Sequence, residues 1–406
     1  MFYVSLLILG LFGLLAWKDI KAALTLLIAL SPAYLLRFTL GVPSTVLEGM
    51  ILISFVVWLA QRQAKQIHVQ TIFGKFLIPA CLLLLVSGLG VLIAPDHVAA
   101  LGIWKAYFIE PILVFVMLRT TFTSQADWKR ALNWLSVTVT GLTLFAIYQT
   151  ATGLGLPVPW DVERRATSVF PYPNALGLWI APIVSALLVL AANKQTRTHA
   201  HVFAAFLGIV AITLSQTEAA LVAIPGALGV TLVFSKATLK TKIGMCGGAI
   251  VLAAVIIGGV PHIREKVFLQ DYSGHVRLSQ WKETVTMLSD RPLFGAGLNG
   301  YPEIFAPYHN PMLYEIFQYP HNLILNFWVE MGIFGVLVLL LFIGGVTHVA
   351  RQNRENIFVL AAFAALLTMC IHGLVDVPFF KNDLAVLTAF FLAMLFTPAT
   401  KSYPRS

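Results

Sequence analysis

A chain of 406 residues that is 58% hydrophobic and only 11% charged, with a mean hydropathy of +0.83, is not a water-soluble globular protein, whose charged share is about a quarter. Its formal net charge of +9 belongs to membrane topology and not to a nucleic-acid partner, because the basic residues alternate with the apolar runs. Cys81, Cys246 and Cys370 all fall within those runs, which argues against both disulfides and metal sites.

Residues 1–17 lack a basic leading region and a small-residue cleavage site, so they read as a first span and not as a signal peptide. Apolar segments of about 20 residues, the length a bilayer requires, recur at 2–17, 20–36, 44–60, 74–94, 101–118, 131–152, 173–192, 200–214, 217–234, 243–260, 321–348, 357–376 and 383–398. Alternate connections then carry 17 of the 27 Lys and Arg, among them Lys21, Lys75, Arg119, Lys194, Lys236 and Arg351. The positive-inside rule makes that face cytoplasmic and puts the C-terminus inside. The expectation is an all-α polytopic membrane bundle of 12–13 transmembrane helices. Residues 1–260 form an N-terminal bundle and 261–320 a long external loop with short amphipathic helices. C-terminal spans at 321–398 and a cytoplasmic tail at 399–406 follow.

Polar groups that interrupt the spans are the first functional signals, since ionisable side chains at membrane depth face a partner or an aqueous cavity. Arg37 and Glu48 flank the turn LRFTLGVPSTVLEG, while Lys105 and Glu110 lie in LGIWKAYFIEP. Lys105 and Glu110 are five residues apart, on different faces of an α-helix, so simple mutual pairing is not expected. These four either form structural ion pairs or line a substrate cavity. The external loop at 153–177 holds Arg164 and Arg165, against the charge bias, beside Asp161 and Glu163. They invite an anionic partner or pair with those neighbours. At LSQTEAALVAI, Ser215, Thr217 and Glu218 read as helix-capping chemistry.

The longest polar interval runs from Pro261 to about Gly335. Within it Leu278, Trp281, Val285 and Leu288 have the 3-4-3 spacing of one apolar helix stripe, which predicts a helix lying on the membrane surface with Trp281 at headgroup depth. Pro320 is a helix-start signal. It puts His321 in the first turn of the next span, where the partial positive charge of the helix end disfavours an imidazolium. Asn322, Asn326 and Glu330 recur every four residues as a polar stripe running inward. His372 and Asp376, at i and i+4, read as a pair on one helix face.

Together these segments resemble the O-antigen ligase and O-antigen polymerase superfamily of membrane glycosyltransferases. The resemblance rests on Arg277 and Trp281 before PLFGAGLNGY, on PHNLILNFWVEMGIFG opening a span, and on HGLVDVPFFKND. ERRATSVFPYPNALG and LRFTLGVPSTVLEG add weaker agreement. It implies a GT-C type transferase in the bacterial cytoplasmic (inner) membrane with its active site facing the periplasm. The partners implied are a donor glycan on a polyprenyl (undecaprenyl) pyrophosphate, a glycan, lipid or protein acceptor, and membrane lipids. His321 matches the family histidine that deprotonates or aligns the acceptor hydroxyl, and Arg277 an arginine at the donor pyrophosphate. Family members often carry an arginine where this chain has Glu218, so the resemblance leaves one pyrophosphate contact to another residue, with Arg165 or Arg164 at hand. Asn322, Glu330, Lys105, Glu218, His372 and Asp376 complete the expected cavity.

The residue types suit that chemistry. Guanidinium groups stabilise charge on a departing pyrophosphate, and a neutral imidazole can take the acceptor proton. The external side has no DxD or compact acidic cluster, so no metal and no cofactor are expected, and direct displacement should invert the sugar. Ligase and polymerase use the same outer site and differ only in the entering hydroxyl. A secondary transporter or lipid flippase would also place ionisable groups in its spans, but it predicts repeats that the sequence lacks.

Overall fold

The computed structural model describes residues 2–61, 68–244, 247, 264–265, 268–312 and 314–398. Most of the expected tenth span at 243–260, Cys246, His262 and the tail at 399–406 lie outside them. The described chain is helical apart from one two-stranded hairpin. Five helical segments are long and apolar enough to cross a membrane, and seven shorter apolar helices of 10–17 residues accompany them. The architecture is the all-α polytopic bundle the hydropathy implies.

In chain order, α1 (Phe2–Lys18) and α2 (Ile20–Ala29) are followed by a hairpin of β1 (Arg37–Leu40) and β2 (Val42–Thr45), which leads into α3 (Val46–Ala60). The second span therefore stops earlier than its hydropathy suggests. Pro32 heads a short 3-10 turn at Ser31–Leu35 where a continuing α-helix would lose a backbone bond, and Gly41 closes the hairpin at φ +72°. A capping box between Thr45 and Glu48 starts α3. Next come α4 (Val69–Phe73), α5 (Leu77–Ile93), α6 (His97–Trp104) and α7 (Glu110–Thr121), with a π-helical turn at Lys105–Ile109 joining the last two. Then follow α8 (Gln125–Thr152), α9 (Pro173–Ala192), α10 (His199–Leu214) and α11 (Glu218–Phe234). The polar interval contributes α12 (Tyr272–Asp290) and α13 (Tyr301–Phe305), and the chain ends in α14 (Leu323–Gln352), α15 (Ile357–His372) and α16 (Asn382–Met394).

The bundle is organised around α9, which is buried along nearly its whole length. Apolar contact supplies most of that cohesion, and its few polar groups are partnered: Trp179 donates to Ser31 Oγ at 3.0 Å, and Ser185 and Thr368 share a 2.6 Å bond across to α15. Contacts between connections agree with the alternation read from charge. At one end Lys21 pairs with Asp127 at 3.0 Å, Lys236 with Glu355, and Lys75 meets His348. The hairpin, the 153–172 loop, α12 and the segment after α15 gather around one cavity.

Two of the sequence motifs dock on each other and set the backbone of that region. Gly332 interrupts α14 at φ +66°, and a Cβ there would lie 1.8 Å from Leu293 O. The PLFGAGLNGY turn runs through this notch. Ala296 N–H bonds Val329 O at 2.7 Å, Leu298 N–H bonds Gly90 O at 3.0 Å, and Asn299 N–H bonds the Glu330 carboxylate at 2.8 Å.

Candidate active site

A cavity of about 2820 Å³ opens between the hairpin, α6, the 153–172 loop, α11, α12 and residues 314–321 and 371–382. Part of its lining is the turn after α15, whose backbone is fastened from several directions. Leu323 N–H bonds Gly373 O at 2.7 Å, Asn322 Nδ2 donates to Leu374 O at 2.9 Å, and Arg277 Nε donates to Val375 O at 3.1 Å. The next residue, Asp376, points its carboxylate at His321, with Nδ1 to Oδ1 at 3.6 Å.

This geometry corrects two readings from the sequence. His372 and Asp376 do not share a helix face, because α15 ends at His372 and successive tight turns, with Leu374 N–H on Ile371 O and Val375 N–H on His372 O, carry the chain away. Asp376 is left to serve His321 instead. His321 in turn is not in the first helical turn. Asn322 is the N-cap of α14, its side chain accepting from Leu325 N–H at 3.0 Å, and His321 precedes it in a left-handed conformation at φ +48°. A non-glycine residue in that conformation is held there by its surroundings. Trp281 Nε1 donates to Pro320 O and Gln280 Nε2 to Tyr319 O, both at 2.9 Å, and Phe317 meets the imidazole edge-on. Nδ1 is buried on the Asp376 side without a hydrogen-bond partner among the described residues, while the side chain as a whole is 31% exposed and lines the cavity.

The helix that makes these contacts is α12, and its buried face differs from the predicted stripe. Gln280, Thr284, Met287 and Leu288 are buried, whereas Leu278 and Val285 are exposed. The reason is that polar groups of two residues find partners: Thr284 Oγ1 bonds Tyr301 OH at 2.7 Å, and Gln280 Nε2 donates to the Tyr319 carbonyl, although Gln280 Oε1 has no partner among the described residues. Satisfied polar groups can be buried at little net cost, so hydropathy spacing misplaces the face by about one residue.

Two guanidiniums bound the same cavity. Arg277 uses Nε on Val375 O and Nη1 on Ser273 Oγ at 2.9 Å, which occupies two of its five N–H donors. Arg165 stacks over Trp160, 5.0 Å from the ring centre, and donates to Ser215 O at 3.2 Å and to Asn174 Oδ1 at 3.3 Å. Burial pushes the Arg165 pKa down from its ordinary value, Glu218 and Glu163 act the other way, and Arg277 is near enough to lower it further. Both guanidiniums line the cavity, and their like charge favours an anion within it. Asn174, which the sequence reading did not single out, closes the circuit: its Nδ2 donates to Asp376 Oδ2 at 3.4 Å. Its oxygen faces a pure donor and its nitrogen a pure acceptor, so its amide orientation is fixed by the network. Nothing in the spacing of 165, 174, 321 and 376 indicates that these residues meet.

Other expected positions separate. Glu218 lines the cavity, and Thr217, at the N-cap of α11, makes no side-chain capping bond, its hydroxyl bonding Ser215 Oγ at 2.8 Å instead. Arg164 is exposed, at φ +52°, and is not among the cavity's lining residues. Asn322 and Glu330 stand behind the wall: Asn322 holds the 373–377 turn, and the fully buried Glu330 holds Asn299, which does line the cavity. Lys105 and Glu110, thought unable to pair, lie 3.8 Å apart. The turn between them is π-helical, and its wider i→i+5 pitch puts residues five apart on one face. Lys105 also reaches Glu48 at 3.2 Å.

Fold and site together define the class: a multi-pass, all-α membrane protein with a large cavity framed by a histidine–carboxylate contact and two guanidiniums. Residues 203–340 match the family model described as O-antigen ligase, a stretch that contains Arg277 and His321 but not Arg165, Asn174 or Asp376. That match, over a minority of the chain, supports the O-antigen ligase and polymerase superfamily and a function of that ligase or polymerase type. The family implies a lipid-linked glycan donor and a glycan acceptor in general terms. No curated protein matches the chain.

Proposed function

We propose that the protein transfers a glycan from a polyprenyl (undecaprenyl) pyrophosphate to an acceptor hydroxyl at the periplasmic face of the bacterial cytoplasmic membrane, inverting the anomeric centre and using no metal. The observation that carries this reading is the convergence of His321, Asp376, Arg165 and Arg277 on one cavity. The acceptor oxygen attacks the anomeric carbon while its proton passes to His321 Nε2. The bond from that carbon to the pyrophosphate oxygen breaks, and its electron pair leaves with the pyrophosphate. Asp376 holds the ring by its Nδ1 edge and balances the charge the ring gains, which is the orienting role that makes a histidine base efficient. The free donors of Arg277 and Arg165 meet the phosphate oxygens, where negative charge grows.

The cavity also supplies room for a lipid tail. Leu221, Val222, Pro225, Gly229 and Val233 of α11 line one arm of it. From Glu218 to Val233 that arm is roughly 22 Å long at 1.5 Å per residue, most of the way across a hydrocarbon core of about 30 Å.

Purified protein in lipid nanodiscs, given a polyprenyl-pyrophosphate glycan and glycan, lipid and protein acceptors in parallel, tests the proposal. The expected product carries the inverted anomeric configuration by NMR and forms equally well with a chelator present. The acceptor consumed separates ligase from polymerase. Transfer undiminished in His321→Ala and Arg277→Ala, or a carrier moved across the bilayer with no new glycosidic bond, would overturn the reading.

A further inference from the structure

Part of the cavity lining, on the hairpin and around Lys105, is not used by the chemistry above. Arg37 on β1 is directly cross-strand from Thr45 on β2, and cross-strand neighbours stand about 5 Å apart. Thr45 forms the capping box with Glu48, whose Oε2 accepts the Thr45 N–H at 3.1 Å, and the Glu48 Oε1 faces Lys105 at 3.2 Å. Arg37, Thr39, Ser44, Glu48 and Lys105 all line the cavity.

A purely structural ion pair does not need this construction. Lys105 keeps 44% of its side chain exposed, although it lies within an apolar helical segment and has a carboxylate on either side. Behind it, Glu110 is 2% exposed, and neither of its oxygens has a hydrogen-bond partner among the described residues. The π-helical turn that turns Lys105 and Glu110 to one side is a rare device that clusters at functional sites. The outcome is an ammonium, a guanidinium, a carboxylate and two hydroxyls facing one space, a mixed set of donors and acceptors. Such a set matches vicinal hydroxyls, each of which donates and accepts, better than it matches a lone phosphate.

We propose that this part of the lining is the acceptor subsite: Arg37, Lys105 and Glu48 bind the hydroxyls of a saccharide unit of the acceptor that lies beyond the hydroxyl being glycosylated. The inference rests on the transfer reading above and adds the class of ligand and the residues that read it. An acceptor seated here extends from the hairpin toward His321, while the donor occupies the α11 arm and the two guanidiniums.

The test is a cycle of variant against acceptor length, in nanodiscs with the polyprenyl-pyrophosphate glycan as donor. Arg37→Gln and Lys105→Met should each raise the KM of a full-length saccharide acceptor about tenfold, the order expected for one hydrogen bond to a charged group, and leave the KM of the donor unchanged. An acceptor trimmed to the single accepting sugar should show a raised KM with the wild-type protein and no further rise with either variant. Arg37 is exposed on a strand, so Arg37→Gln keeps the test valid if Lys105→Met fails to fold. Unchanged acceptor KM in Arg37→Gln, or a donor KM that rises equally, overturns the assignment. His321→Ala in the same assay separates the two ideas: if it is inactive while Arg37→Gln behaves as wild type, only the acceptor subsite is lost.

Discussion

Replacing Asp376 by Asn keeps the size and one hydrogen-bonding edge of the side chain but removes its charge. The carboxylate lies 3.6 Å from His321 Nδ1, with 10% of its side chain exposed. Unit charges about 4 Å apart attract by roughly 4 kcal/mol at an effective dielectric near 20. The partial exposure of His321 and the hydrogen bonds an Asn still makes reduce that figure, leaving about 2–3 kcal/mol to be lost from the transition state. At about 1.4 kcal/mol per tenfold, kcat should fall by roughly 30- to 150-fold. The donor KM should change little, because the guanidiniums remain. Burial by itself would raise the Asp376 pKa, but the His321 imidazole, the charge of His372 and the Val377 N–H together hold it well below the usual carboxylate range. A carboxyl depressed in the folded protein adds stability above its unfolded pKa of about 4. That contribution is lost only as pH falls through the lower folded value. Asp376 should therefore stay ionised from pH 8 to pH 5, and a loss of transfer in that window must come from another group. Steady-state transfer rates across that pH range, for Asp376→Asn and wild type, measure both effects. A kcat within threefold of wild type would falsify the positioning role.

Further outcomes follow from the same contacts. Arg277→Lys keeps the charge but loses the fork that reaches Val375 O and Ser273 together, so kcat should drop about 100-fold with normal expression. Gly332→Ala should lower the detergent melting temperature sharply, since its Cβ would meet Leu293 O and its φ of +66° is strained for alanine. Glu330→Gln, able to accept from Asn299 N–H, should be nearly as stable as wild type, whereas Glu330→Ala should lose about 1–3 kcal/mol in a denaturant or thermal titration. Asn174→Leu should reduce kcat for wild-type protein by about tenfold and have no further effect in an Asp376→Asn background, because its bond to Asp376 is the route by which it acts. Equal reductions in both backgrounds would count against that route.

The sequence alone determined the class. Long apolar runs in a chain with few charges leave no alternative to helices that satisfy their own backbone in lipid, and the alternation of basic connections sorts them into two ends. It also singled out His321 and Arg277 as candidates, because both lie in compact motifs. What only the tertiary structure decided is which residues meet. His321 finds Asp376 55 positions away, and Asn174 joins that pair to Arg165 from a helix 202 residues earlier in the chain. Contacts between separate helices have no period along the chain, so spacing rules return the local partner, His372 for Asp376, and miss the distant one. Two local readings failed for physical reasons as well. A π-helical turn changes which residues share a face, so Lys105 and Glu110 come together, and buried Gln280 and Thr284 turn α12 because the Gln280 amide nitrogen and the Thr284 hydroxyl find tertiary partners. Hydropathy measures the transfer of each side chain to lipid, and it carries no information about the partner that makes burial of a polar group tolerable.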